Sequence, residues 1–148
     1  MSTFPDMIQI ELTKSSAEQL AAIVNNGKYP VKYMHHVTLA FRPNQTQYKQ
    51  IVMLDPTNPL QSGEKVKIDL LTYIYDDDFG VDAVTVQMRR LNGDDIISLN
   101  KYPHITISTI ADKKPKDSNE LLEKTNHNKF EDIPLTLDGI VKFITYKS

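Results

Sequence analysis

The stretches His35-His36-Val37-Thr38-Leu39-Ala40-Phe41 and Pro103-His104-Ile105-Thr106-Ile107-Ser108 decide how this chain is read. Both contain the phrase His, β-branched apolar, Thr, aliphatic, and the two copies start 68 residues apart. Side chains alternate between the two faces of a strand. Val37 and Leu39 are therefore expected to face a core while His36 and Thr38 face away. Ile105 and Ile107 do the same for His104 and Thr106. Each half of the chain then offers one imidazole and one hydroxyl on an apolar strand. That is a rigid mount for a matched acid and base.

Working outward, Ile8, Ile10 and Leu12 alternate with Gln9 and Glu11, which predicts an opening strand. Ser15 and Glu18 read as a capping box for a helix that ends near Asn25-Asn26-Gly27. Residues Val31 to Phe41 are expected as one strand, Thr46 to Leu54 as a helix, and Lys65 to Tyr75 as a strand, with an irregularity near Leu70-Leu71. Asp76 to Gly80 reads as a turn, Val81 to Leu91 as a strand, and Asn92-Gly93 as a second turn. The second His-Thr strand is expected from about Tyr102 to Ile110. Asp117 to Glu120 resembles another capping box, with Leu121-Leu122 in its helix. Asn126 to Lys129 reads as loop. Ile133 to Leu137 and Ile140 to Tyr146 read as strands joined by a tight turn at Asp138-Gly139. Helices interleaved with antiparallel strands indicate an α+β fold of two related lobes, and no linker divides the chain, so one domain is expected across residues 1–148.

Composition narrows the classes. The 148 residues are 40% hydrophobic and 24% charged, as in a soluble globular domain. No apolar segment is long enough to span a membrane, and the N-terminus lacks a signal-like stretch, so a cytoplasmic location is expected. With no Cys, thiol nucleophiles and thiolate metal sites are excluded. The 17 basic and 19 acidic residues give a net charge of −2, with no basic stripe suited to a long duplex. A small nucleotide or a strand end fits this balance better.

Two imidazoles facing one groove can divide proton transfer during attack at phosphorus, because their ordinary pKa suits both roles near neutral pH. The hydroxyls of Thr38 and Thr106 can donate to non-bridging oxygens and stabilise developing charge. Nothing in this scheme needs a metal or cofactor. A single H-x-T in a strand more often marks a structural histidine; two matched copies favour a shared active groove. His35 is expected on the opposite face from His36, in a structural or peripheral role, and His127 in a solvated loop. Arg42, Lys113 and Lys114 are candidates for attracting phosphate at the groove mouth, with solvated surface charge as the alternative. Tyr33, Tyr102 and Phe79 are candidates for stacking on a base, with packing as the alternative. Asp76, Asp77 and Asp78 could hold Mg²⁺, but an exposed turn explains the triplet more simply.

On His36-Val37-Thr38-Leu39 and His104-Ile105-Thr106-Ile107 the chain resembles the 2H phosphoesterase superfamily. HHVTLAF at 35–41, PHITIS at 103–108 and KPKDSNELL at 114–122 look most like the cyclic phosphodiesterase module of fungal and plant tRNA ligases. The resemblance implies a bilobal α+β fold with two pseudo-symmetric antiparallel-sheet lobes flanked by helices around a central groove. It implies metal-independent opening of a 2′,3′-cyclic phosphate at an RNA end to leave a 2′-phosphate. On that resemblance the catalytic set would be His36, Thr38, His104 and Thr106. Arg42, Tyr102 and Lys113 are expected to bind substrate on their own charge and aromatic character, not on the resemblance. The expected partner is an RNA end or a small cyclic nucleotide, met by a monomer without a membrane. Three alternatives stay open: a nuclease for cyclic oligonucleotide messengers, a nucleotide-binding protein without turnover, and a scaffold in which the repeat serves sheet packing alone.

Overall fold

Alternating apolar residues build most of the wall of this molecule. In the computed structural model, which describes residues 4–124, 128–129, 133 and 135–146, the elements run as follows. Strand β1 (Met7–Leu12) leads to α1 (Lys14–Ile23), β2 (Val31–Lys32), β3 (His36–Phe41) and α2 (Gln45–Val52). Then come β4 (Lys65–Asp76), β5 (Val81–Arg90), β6 (Asp95–Ile96) and β7 (His104–Thr109). A single 3₁₀ turn at Pro115–Asp117 precedes α3 (Ser118–Glu123), β8 (Asn128–Lys129) and β9 (Thr136–Ile144). Of the loop expected over Asn126 to Lys129, Asn126 and His127 lie outside the described residues, whereas Asn128–Lys129 is not loop but the short strand β8, held by pairing with Ile74 and Tyr75 of β4.

The described strands form one antiparallel sheet, and with the three α-helices found among the described residues the fold is α+β. Six strands, in the order β7-β3-β1-β9-β4-β5, close into a barrel because β5 also pairs with β7. Strands from the two halves of the sequence are thereby interleaved, with β7 beside β3 and β9 between β1 and β4. Ile8, Ile10, Val37, Leu39, Val66, Ile68, Val84, Val86, Ile105, Ile107, Leu137 and Val141 fill the core. Leu20 and Val24 at the end of α1 and Ile51 and Val52 of α2 join it. A smaller cluster fixes α3, whose Leu121 and Leu122 pack on Ile74, Val81 and Ala83. Every residue of β7 is buried.

Four other local expectations are corrected. The strand expected from Val31 to Phe41 is two strands, because Met34 adopts a left-handed φ of 66° that interrupts the pleat. The cap of α1 is Thr13, whose Oγ1 accepts from the Ser16 amide at 3.2 Å, and Ser15 is exposed. Ser16 Oγ instead accepts from the Asp138 amide at 2.8 Å and ties α1 to β9. Asp117 closes the 3₁₀ turn by accepting from the Lys114 amide at 2.7 Å and makes no side-chain cap to α3. Finally, Asp138-Gly139 is not a turn: β9 runs straight through it. Gly139 is there because a Cβ would stand 2.4 Å from Ile10 Cγ2 and 3.0 Å from Ile68 Cδ1. The irregularity near Leu70-Leu71 is a register shift within one continuous strand, between Leu70 and Tyr73. The two-residue strand β6 was not expected at all; it follows the Gly93 turn and pairs with Met88 and Arg89.

Candidate active site

Strands β3 and β7 meet at a single antiparallel pair, Val37 opposite Ile105. Both side chains are fully buried in the barrel. One step to either side of that pair lie His36 and Thr38 on β3 and His104 and Thr106 on β7. Alternation turns these four to the outer face. There they line one cavity of about 500 Å³, together with Met7, His35, Phe41, Asn100, Pro115, Lys116 and Asn119. The 3₁₀ turn and the start of α3 supply the last wall, held down by the leucine cluster beneath α3.

The two histidines are set differently. His104 is buried, and its Nδ1 lies 2.8 Å from the Tyr102 carbonyl. A carbonyl only accepts, so Nδ1 carries the proton and Nε2 is the nitrogen left for chemistry. His36 is half-buried and, among the described residues, its ring has no hydrogen-bond partner; instead it packs 5.4 Å from the ring of His35. Burial is the main cause that pushes both imidazoles below their ordinary pKa. For His36 the neighbouring His35 and His104 push the same way and Glu11 opposes. For His104 the Tyr102 carbonyl opposes.

These shifts have a measurable consequence with a definite sign. Above the ordinary value near 6.5, the rings are neutral in folded and unfolded chains alike. As pH falls below it, the unfolded chain takes up protons that the folded chain refuses, and stability is lost until pH passes the lowered folded values. The urea midpoint is expected to be lower at pH ~5.5 than at ~7.5, and the drop smaller in a His104→Asn variant. Equal drops in the two proteins would show that His104 is not a source of the slope.

The hydroxyls also differ. Among the described residues Thr38 Oγ1 has no partner, whereas its carbonyl accepts from Ser98 Oγ at 2.8 Å. Thr106 Oγ1 donates to the Pro115 carbonyl at 3.2 Å and shares a 2.8 Å hydrogen bond with the fully buried Ser118 Oγ. Ser118 thus links the 3₁₀ turn and α3 to the floor of the cavity.

The register also brings in groups that no motif pointed to. Glu11 stands opposite His36 and Gln9 opposite Thr38, on the same outer face, and Gln9 Nε2 donates to Glu11 Oε2 at 3.0 Å. His35 lies in the same cavity as His36, not on the opposite face. Strand β3 begins only at His36, so alternation does not reach residue 35, and His35 Nδ1 donates to the Tyr33 carbonyl at 2.6 Å. Of the basic residues after β7, Lys116 lines the cavity. Lys113 places its Nζ 3.9 Å from the centroid of Phe79, and Lys124 approaches the same ring at 4.8 Å. Arg42 sits beside the cavity with its guanidinium 5.3 Å from the Phe41 ring. The Tyr102 ring is exposed near Lys101, and it is the backbone of Tyr102 that touches His104. Asp76 is occupied in its turn, accepting from the amides of Asp78 and Phe79. Among the described residues no group of three or more His, Asp or Glu is placed to hold a metal ion. None of the described helices is long and apolar enough to cross a membrane.

The sequence model for the fungal tRNA ligase phosphodiesterase domain matches residues 6–134. The chain belongs to this family. Membership supports a phosphodiesterase role in RNA processing. A solved structure, described as that of a fungal RNA kinase, superposes with a TM-score of 0.57 at 19% identity. The match covers 95% of this phosphodiesterase-domain chain and 42% of the other, and it speaks to fold alone. No curated protein sequence matches the chain.

Proposed function

We propose that this phosphodiesterase domain opens 2′,3′-cyclic phosphates, at RNA ends or on small nucleotides, by two-histidine acid–base catalysis in a groove between two lobes. What carries the reading is one observation: His36, Thr38, His104 and Thr106 line a single cavity about the Val37–Ile105 pair. One imidazole takes a proton from the attacking water while the other protonates the ring oxygen that leaves phosphorus. The P–O bond to water forms as the bond to that oxygen breaks, and the two histidines exchange protonation states over the cycle. Thr38 is free to donate to a non-bridging oxygen. Thr106 does so by turning its hydroxyl from the Pro115 carbonyl toward phosphate while still accepting from Ser118.

The Lys116 ammonium at the cavity wall favours an anionic group there. The whole chain works as one domain and as a monomer in the cytoplasm on this reading, and Arg42, Tyr102 and Lys113 act from outside the cavity lining. The test is an assay in excess chelator against 2′,3′-cyclic mononucleotides, RNA ending in a cyclic phosphate, and cyclic oligonucleotides. Turnover of the first two with a 2′-phosphate product is the expected result. Complete loss of activity in chelator would sink the metal-independent mechanism. Preference for cyclic oligonucleotides would reassign the substrate.

A further inference from the structure

Strand β3 does not alternate evenly. Ile8 of β1 pairs with Ala40 while the next residue, Gln9, pairs with Thr38, so Leu39 is an extra residue on β3. Leu39 and Ala40 are both buried, at 0% and 1% exposure. A regular strand would send His36, Thr38 and Ala40 to the cavity and turn Phe41 inward. The bulge shifts the phase by one, and Phe41 emerges on the side of His36 and Thr38. It is 56% exposed and lines their cavity. Its partner across the sheet, Met7, lines the cavity beside it. The opposite wall is polar, with Asn100, Lys116 and Asn119. A large aromatic ring left in the open beside paired imidazoles has a use if a flat apolar group lies on it.

We propose that Phe41 is the platform on which the nucleobase of the substrate stacks, with Met7 extending it. The proposal rests on the reading that the cavity takes a nucleotide cyclic phosphate, and it adds what that nucleotide must carry. Arg42 braces the platform through its contact with the ring. Stacking is tolerant of base identity, because every base has a π-face, so the site should accept all four bases, with purines ahead of pyrimidines through their larger area.

The experiment compares kcat/KM for 2′,3′-cyclic AMP with that for ribose 2′,3′-cyclic phosphate, which lacks a base. In Phe41→Ala and Phe41→Leu, the preference for the nucleotide is expected to fall roughly tenfold, mainly through KM, and Phe41→Trp should keep it. An equal fall for both compounds, or an unchanged preference, would overturn the platform. Wild-type protein that opened neither compound would overturn the parent reading only. In that event, titration calorimetry with 2′-AMP still decides: binding roughly tenfold weaker in Phe41→Leu than in wild type supports the platform, and equal binding overturns it.

Discussion

Replacing His104 with Asn, or His36 with Ala, is expected to lower kcat/KM for a 2′,3′-cyclic phosphate about 10³-fold, within the range of one positioned proton-transfer group. Asn is the better choice at position 104. His104 is buried and donates to the Tyr102 carbonyl, and a carboxamide can keep that hydrogen bond while losing the titratable nitrogen. At position 36 no hydrogen bond is at stake among the described residues, so Ala removes the ring at small cost to the fold. The double variant should be little worse than either single one, because each histidine is useful only with the other. Activity that survives in either single variant would end the two-histidine scheme. Circular dichroism and the urea midpoint of each variant separate lost chemistry from lost structure.

The second large effect concerns stability. Asp82 on β5 is fully buried and has a dense set of donors around one carboxylate. Tyr73 Oη and Ser108 Oγ donate to it, and the Lys28 amide does so at 3.0 Å. Ser108 Oγ also accepts from the Tyr29 amide at 3.0 Å. The segment before β2 is thereby fastened to β5 and β7, at the end of β7 that pairs with β2. Asp82→Ala takes this acceptor from the buried Tyr73 and Ser108 hydroxyls and from the part-buried Lys28 amide, and opens a small void. The expected loss is about 3 kcal/mol of unfolding free energy. Tyr73→Phe removes one donor and leaves the carboxylate with the other two, so its cost should be nearer about 1 kcal/mol. Urea denaturation at neutral pH measures both. A loss for Asp82→Ala no larger than that for Tyr73→Phe would show that the carboxylate is not the centre of the network.

How far the sequence could be read depended on whether side chains kept step with the backbone. At Ile8 and Ile10, Val37 and Leu39, and Ile105 and Ile107, alternation holds, and the residues expected to face the core do so. The same rule fails wherever the pleat slips. Met34 turns left-handed and detaches His35 from the strand, so His35 arrives in the cavity instead of opposite it. The extra residue at Leu39 brings Phe41 out where counting by twos would bury it. Asp138-Gly139 has the composition of a turn, yet Gly139 answers a steric demand from Ile10, a residue more than a hundred positions away. Glu11 and Gln9 reach the site only through pairing of β1 with β3. Lys116 and Asn119 reach it only because Leu121 and Leu122 anchor α3 beside β5. Local pattern carries the elements and the paired phrase, whereas register and long-range packing decide which neighbours the imidazoles have.

Closure of the barrel also has a consequence for synthesis. Strand β9 fills the gap between β1 and β4, pairing Met7 with Ile144 and Lys65 with Ile140. A nascent chain that has emerged only through β7 already carries both imidazoles, but β1 still has an unpaired edge. The wall that aligns β3 with β7 is completed only when residues 136–144 leave the ribosome. Contacts of such long sequence separation form late and slowly. Assembly of the cavity is therefore expected to wait for β9, which acts as its latch.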